Sequence, residues 1–266
     1  MPSVYAHYKF GKDVLSLLPK DLRASVIKYR ELYDLGLQGP DLLFFYHPIT
    51  HNYVNRLGNA IHDWTGRRYF ESTLRILRGT RLKEASLAYL IGAICHYALD
   101  SVCHAYIEEC VHTKNLKHTA MEGSFDRLLI LEDHHPYNHL VSVYLRVTRA
   151  ESSLISRFYG RTTGRQLYRS IRTMQILNDG LRLPDNLLKK SIFLFLRLIG
   201  KYDTISGMVI TKEADPHFTE TDKRLRELYN DSVPFALELI QEYIDALNNH
   251  THLGLNFQTT FMGQKR

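Results

Sequence analysis

Three cysteines in 266 residues leave no basis for a disulfide framework. Cys95, Cys103 and Cys110 recur at intervals of eight and seven in one apolar stretch and read as small buried hydrophobes. Alternating apolar and polar runs are few, and glycines and prolines fall between helix-length segments, so the pattern excludes a β-rich fold and predicts an all-α one. Apolar stretches, such as SIFLFLRLI at 191–199, are too short or too interrupted to span a bilayer. The opening MPSVYAHYKFGKDV has no basic segment followed by an apolar core and a small-residue cleavage site, and a cytoplasmic location is expected. Internal repeats and low-complexity segments are absent. So is any acidic excess, since the net charge is +6.

The basic excess is concentrated between residues 140 and 201, at Arg146, Arg149, Arg157, Arg161, Arg165, Arg169, Arg172, Arg182, Lys189, Lys190, Arg197 and Lys201. Such a segment favours an anionic partner, whether a phosphate ester, a nucleic acid or an acidic lipid surface, without choosing among them. A solvated set of helix faces reads the same residues equally well. The length suits one large domain, taken here as residues 1–266, with the chemistry-bearing motifs in 1–133 and further helices over 140–250.

The stretch Ala85 to Ile107, ASLAYLIGAICHYALDSVCHAYI, is apolar on nearly every side and predicts a helix in the middle of the domain. Its strongly polar residues are His96, Asp100 and His104, spaced four and four, which stacks them on one face. A buried carboxylate needs a proton, an ion pair or a metal. Further on, His118 and Glu122 repeat the spacing at the start of a second helix, 116–133. HxxxDxxxH followed by HxxxE on neighbouring helices is a ligand set for a cation bound by nitrogen and oxygen, zinc above all.

Other expectations follow in chain order. A first helix covers 4–18 and holds His7; a second runs from Pro19 to Leu35 and ends at a left-handed Gly36. Gly39, Pro40 and Asp41 form a loop before LLFFY, where Asp41 would ordinarily be a turn or capping residue. One helix is predicted over 55–78, carrying His62 and Asp63, with Gly58 as a tolerated interruption. His134, His135 and His139 read as loop residues around Pro136. Helices are expected over 151–159, 164–177, 186–202 and 219–249, the last broken before Pro234, and the tail after His250 reads as loosely held.

The order His7, GPD at Gly39 to Asp41, His62, HxxxD at His96 to Asp100, His104, and HxxxE at His118 to Glu122 resembles the zinc-dependent phospholipase C family, which shares an all-helical fold with the S1/P1-type nucleases. The resemblance is closest to its short bacterial members, in which a GPDxFFY-like loop and a CHxxxDSxxHxYI-like helix recur. It implies an all-α phospholipase C/P1 nuclease-like domain with two to three zinc ions. Asp41, His62, His96 and Asp100 would hold one zinc; His104, His118 and Glu122 would hold a second; Asp100 would bridge to a third, which His7 would also bind. Two departures are visible. The secreted members begin with a Trp that completes the third site, where this chain has Met1, Pro2 and Ser3, and the Asp100 to His104 spacing is shorter than theirs.

The activity this implies is hydrolysis of a phosphodiester or phospholipid, with Asp41 orienting or deprotonating the attacking water. A non-catalytic, metal-stabilised helical scaffold is the alternative from another class. An HD-type phosphohydrolase, suggested by His62–Asp63, and a nuclease are lesser ones.

Overall fold

The computed structural model describes residues 4–182 and 209–265, together with 191, 193–194, 197–198 and 200. The predicted helix over 186–202, and with it Lys189, Lys190 and Lys201, lies for the most part outside the described residues. Among those described, the elements are helices: α1 (Val4–Leu17), α2 (Lys20–Lys28), α3 (Arg30–Gly36), α4 (Tyr53–Asp63), α5 (Gly66–Arg78), α6 (Lys83–Lys114), α7 (His118–Glu132), α8 (Arg149–Ser156), α9 (Gly164–Arg182) and α10 (Thr219–Asn249). A 3-10 turn, Gly39–Leu43, separates α3 from α4.

α6 is the axis. It is long and apolar enough by composition to cross a bilayer, but 89% of its apolar window is buried inside the protein, and α1, α3, α5, α7 and α10 all pack on it. Tyr89, Leu90, Ile91, Ile94 and Tyr97 are fully buried along its first half. The three cysteines are buried and unpaired, as small hydrophobes.

Helix boundaries depart from the sequence pattern where a single residue overrides periodicity. The segment 55–78 is two helices, because Thr65 adopts extended backbone and its hydroxyl accepts from the Arg68 amide, starting α5 afresh. Gly58 sits inside α4 without interrupting it. The second helix breaks at Tyr29, and Gly36 is not a left-handed cap: it is the crossing point of α3 over α6, where a Cβ would collide with the Tyr89 carbonyl and the Gly92 backbone. The left-handed glycine of this stretch is Gly39, whose φ of 48° opens the 3-10 turn.

α10 continues through Pro234. Proline removes one helical hydrogen bond, and the buried face formed by Tyr229, Ser232, Ala236, Leu239 and Ile240 on both sides of it carries the helix past that point. Nor is the tail loose. Leu253, Phe257, Thr260 and Phe261 are at most 1% exposed, and the Thr259 carbonyl accepts from the Gly66 amide and the Tyr97 hydroxyl.

Candidate metal centre

All eight ligand-type residues named from sequence lie at the α6 axis and face one another. His7 comes from the first turns of α1, Asp41 from the 3-10 turn, His62 from the end of α4, His96, Asp100 and His104 from α6, and His118 and Glu122 from the start of α7. Seven are 6% exposed or less, and only His118 opens further to solvent. They form three groups whose ligand atoms lie within 4.8 Å of one another: Asp41, His62 and His96; His7, His96 and Asp100; and His104, His118 and Glu122. His96 belongs to two of them.

Distances within the groups are short. His62 Nε2 is 3.0 Å from Asp41 Oδ1, and His96 Nε2 is 3.0 Å from Asp100 Oδ2. Asp100 turns its other oxygen to His7 Nε2 at 3.2 Å, so one carboxylate serves two sides. Glu122 Oε1 receives His104 Nε2 at 3.4 Å and His118 Nε2 at 3.2 Å. The His7 and His96 rings stack, with centroids 4.2 Å apart.

The outer nitrogens decide what those inner ones can do. Nδ1 of His62 donates to the Gly58 carbonyl (2.8 Å), Nδ1 of His96 to the Leu37 carbonyl (3.2 Å) and Nδ1 of His104 to the Phe261 carbonyl (3.0 Å). A carbonyl only accepts, so each of these nitrogens carries a proton, and whenever the ring is neutral its lone pair lies at Nε2. His118 Nδ1 contacts Glu108 Oε1 at 2.8 Å in the same manner. Despite the 3.0 Å separations, neither His62 Nε2 nor His96 Nε2, nor Asp100 Oδ2, makes a hydrogen bond of acceptable geometry. Buried lone pairs aimed at buried carboxylates need a positive charge between them. Neutral imidazoles with carboxylates, their far nitrogens held by oxygen acceptors, are the donor set and outer support that zinc takes in proteins.

The electrostatics run the same way. Burial pushes the Asp100 carboxyl up, but the imidazoles of His104, His96 and His7 outweigh it and hold the group well below the usual range. Asp41, against the same burial, is also lowered, with His62 and His96 contributing. Burial lowers His96 despite its carboxylate neighbours. For His104 and His118 burial is overcome by Asp100 and Glu122, and by Glu122, respectively, so both are raised. A proton and a metal ion therefore compete for the same Nε2 atoms.

Residues outside the ligand motifs aim the site. Asp126 accepts from the amides of Tyr5 and Ala6, tying the start of α1 to α7 and so placing His7, while Arg182 of α9 pairs with it at 3.1 Å. Arg182 is thus a buried structural charge and not part of a basic surface. The sequence carries a signal for Asp126, since it extends His118 and Glu122 by a further four residues on α7. Glu108 stands four residues after His104 in the same way. The Leu37, Gly58 and Phe261 acceptors are main-chain atoms and leave no such trace. Asp63 is exposed and joins none of the three groups, which removes the HD pair. His134, His135 and His139 lie in the segment after α7 and belong to none of the groups.

Comparison with known proteins gives one match. A family model described as zinc dependent phospholipase C covers residues 6–174, which include every one of the eight ligand-type residues. No curated protein and no solved structure matches the chain.

Proposed function

Because the chain belongs to the zinc-dependent phospholipase C family, we propose that it hydrolyses the phosphodiester bond of a phospholipid on the glycerol side, at a cluster of zinc ions held by the eight residues above. The observation that carries this is the convergence of imidazole Nε2 atoms on the buried carboxylates of Asp41, Asp100 and Glu122. His104, His118 and Glu122 would hold one ion, Asp41, His62 and His96 another, and His7 and Asp100 a third, with His96 available to either of the latter two. Zinc there would supply Lewis acidity toward the phosphoryl oxygens and an acidified water.

The chain's own residues do the rest. Asp41, ionised throughout the physiological range, is suited to orienting the attacking water and accepting its hydrogen bond. Water adds to phosphorus, the bond to the glycerol oxygen breaks, and diacylglycerol and a phosphorylated head group leave. Anchoring to an anionic lipid surface falls to a cleft of about 570 Å³ between α8 and α9, lined by Arg149, Ser152, Ser153, Arg165, Tyr168 and Arg169. Its three guanidinium groups make no ion pair with a described residue.

The depth of the ligands favours a second reading, since closed zinc sites are structural and open ones catalytic. The two separate on one assay. Zinc-loaded protein should release phosphocholine from phosphatidylcholine in mixed micelles, and Asp41→Asn should lower that rate at least about 100-fold. Zinc-loaded wild-type protein that hydrolyses neither this lipid nor a chromogenic phosphodiester would leave the scaffold reading in its place.

A further inference from the structure

The end of the chain lies beyond the 6–174 region that matches the family, yet it touches the metal centre at several points. Phe261 is fully buried, and its ring packs against His62 (centroids 5.5 Å apart), His96 (6.0 Å) and Tyr97 (5.0 Å). Its carbonyl takes the Nδ1 proton of His104 at 3.0 Å. The chain then turns back on itself: Gly263 donates to the Thr260 carbonyl and Thr260 to the Gln264 carbonyl, so residues 260–264 form a closed hook. The hook is seated on α6 on either side of His104. Gly263 has a φ of 74°, and a Cβ there would stand 2.9 Å from the Ala105 nitrogen and 3.0 Å from the Ser101 oxygen. Only glycine allows both that conformation and that approach.

We infer that residues 259–265 are a positioning element of the metal centre, in which the Phe261 carbonyl fixes the tautomer and direction of His104 for the zinc shared with His118 and Glu122. A main-chain acceptor behind a ligating histidine sets which nitrogen is free and where it points. Without it, His104 Nδ1 would be left 3.7 Å from Asp100 Oδ2, and the ring would turn toward that carboxylate instead of Glu122. The Phe261 ring has a different task, closing the apolar wall behind His62 and His96.

This rests on zinc being the group held, and the test keeps the two claims apart. The full chain and the variants Gly263→Val and Phe261→Leu are titrated with zinc against a competing chelator, with cobalt(II) spectra reporting the histidine environment. Gly263→Val lifts the hook from α6 and is expected to weaken one metal equivalent about 10- to 100-fold and change the cobalt spectrum, leaving the other equivalents as they are. Phe261→Leu keeps the carbonyl and should lower the melting temperature of the metal-free protein without altering that affinity. Unchanged affinity for every equivalent in Gly263→Val, or an equal loss in both variants, would overturn the inference. A wild-type chain that binds no zinc would instead remove the proposed function.

Discussion

Asp126 carries two duties with one carboxylate, closing the first turn of α1 and neutralising Arg182, and both groups of the ion pair are at most 5% exposed. Asp126→Asn should therefore cost about 3–5 kcal/mol, because a buried guanidinium is left without its counter-charge. Adding Arg182→Met should return part of that loss. Urea denaturation of the single and double variants measures it, and a double variant less stable than the single would contradict the pairing. Asp222 behaves oppositely. Burial lifts its carboxyl to about 6 against the pull of Ser124, which donates to it at 2.7 Å, and of Arg127. Between about pH 4 and 6 the folded chain keeps a proton that the unfolded chain has released, so this contribution is full below about 4 and lost as pH rises through 6. Asp222→Asn should be neutral at pH 4 and raise the melting temperature at pH 7.5 by about 2–4 °C. Equal shifts at the two pH values would count against it.

Between elements, the approach of α3 to α6 does most to shape the site. Gly36 and Gly92 let the two backbones touch, and one residue further on the Leu37 carbonyl meets His96 Nδ1. A methyl group at the crossing pushes that carbonyl away. Gly92→Ala should cost about 1–3 kcal/mol by overpacking and reduce zinc affinity as well. Gly180 in α9 has nothing within 4 Å of its missing Cβ, and Gly180→Ala should gain about 0.5–1 kcal/mol without touching zinc. Thermal melts with and without chelator compare the two, and similar responses would contradict the packing argument. These elements also mark what was legible. α6 and α7 could be read because apolar character and ligand spacing coincide on them. The split at Trp64–Thr65, the crossing at Gly36 and the passage of α10 through Pro234 could not, because tertiary contact or a single cap decides each.

Across the whole molecule, the site draws on residues from position 7 to position 261, gathered on one buried helix. His96, Asp100, His104, His118 and Glu122 were readable from spacing because they lie within a turn or two of one another on α6 and α7, whereas His7, Asp41 and His62 entered only through the family resemblance. What aims them was not, since main-chain carbonyls from three separate segments do the aiming, the hook that carries Phe261 being one of them, and a tail of mixed polar and aromatic residues carries no periodic mark. Zinc content per chain, by elemental analysis of protein purified without chelator, tests the central claim most directly. Two to three equivalents are expected, falling as the medium is acidified because His104 and His118 take up protons at the same nitrogens. A value near zero, unchanged after incubation with zinc, would contradict it.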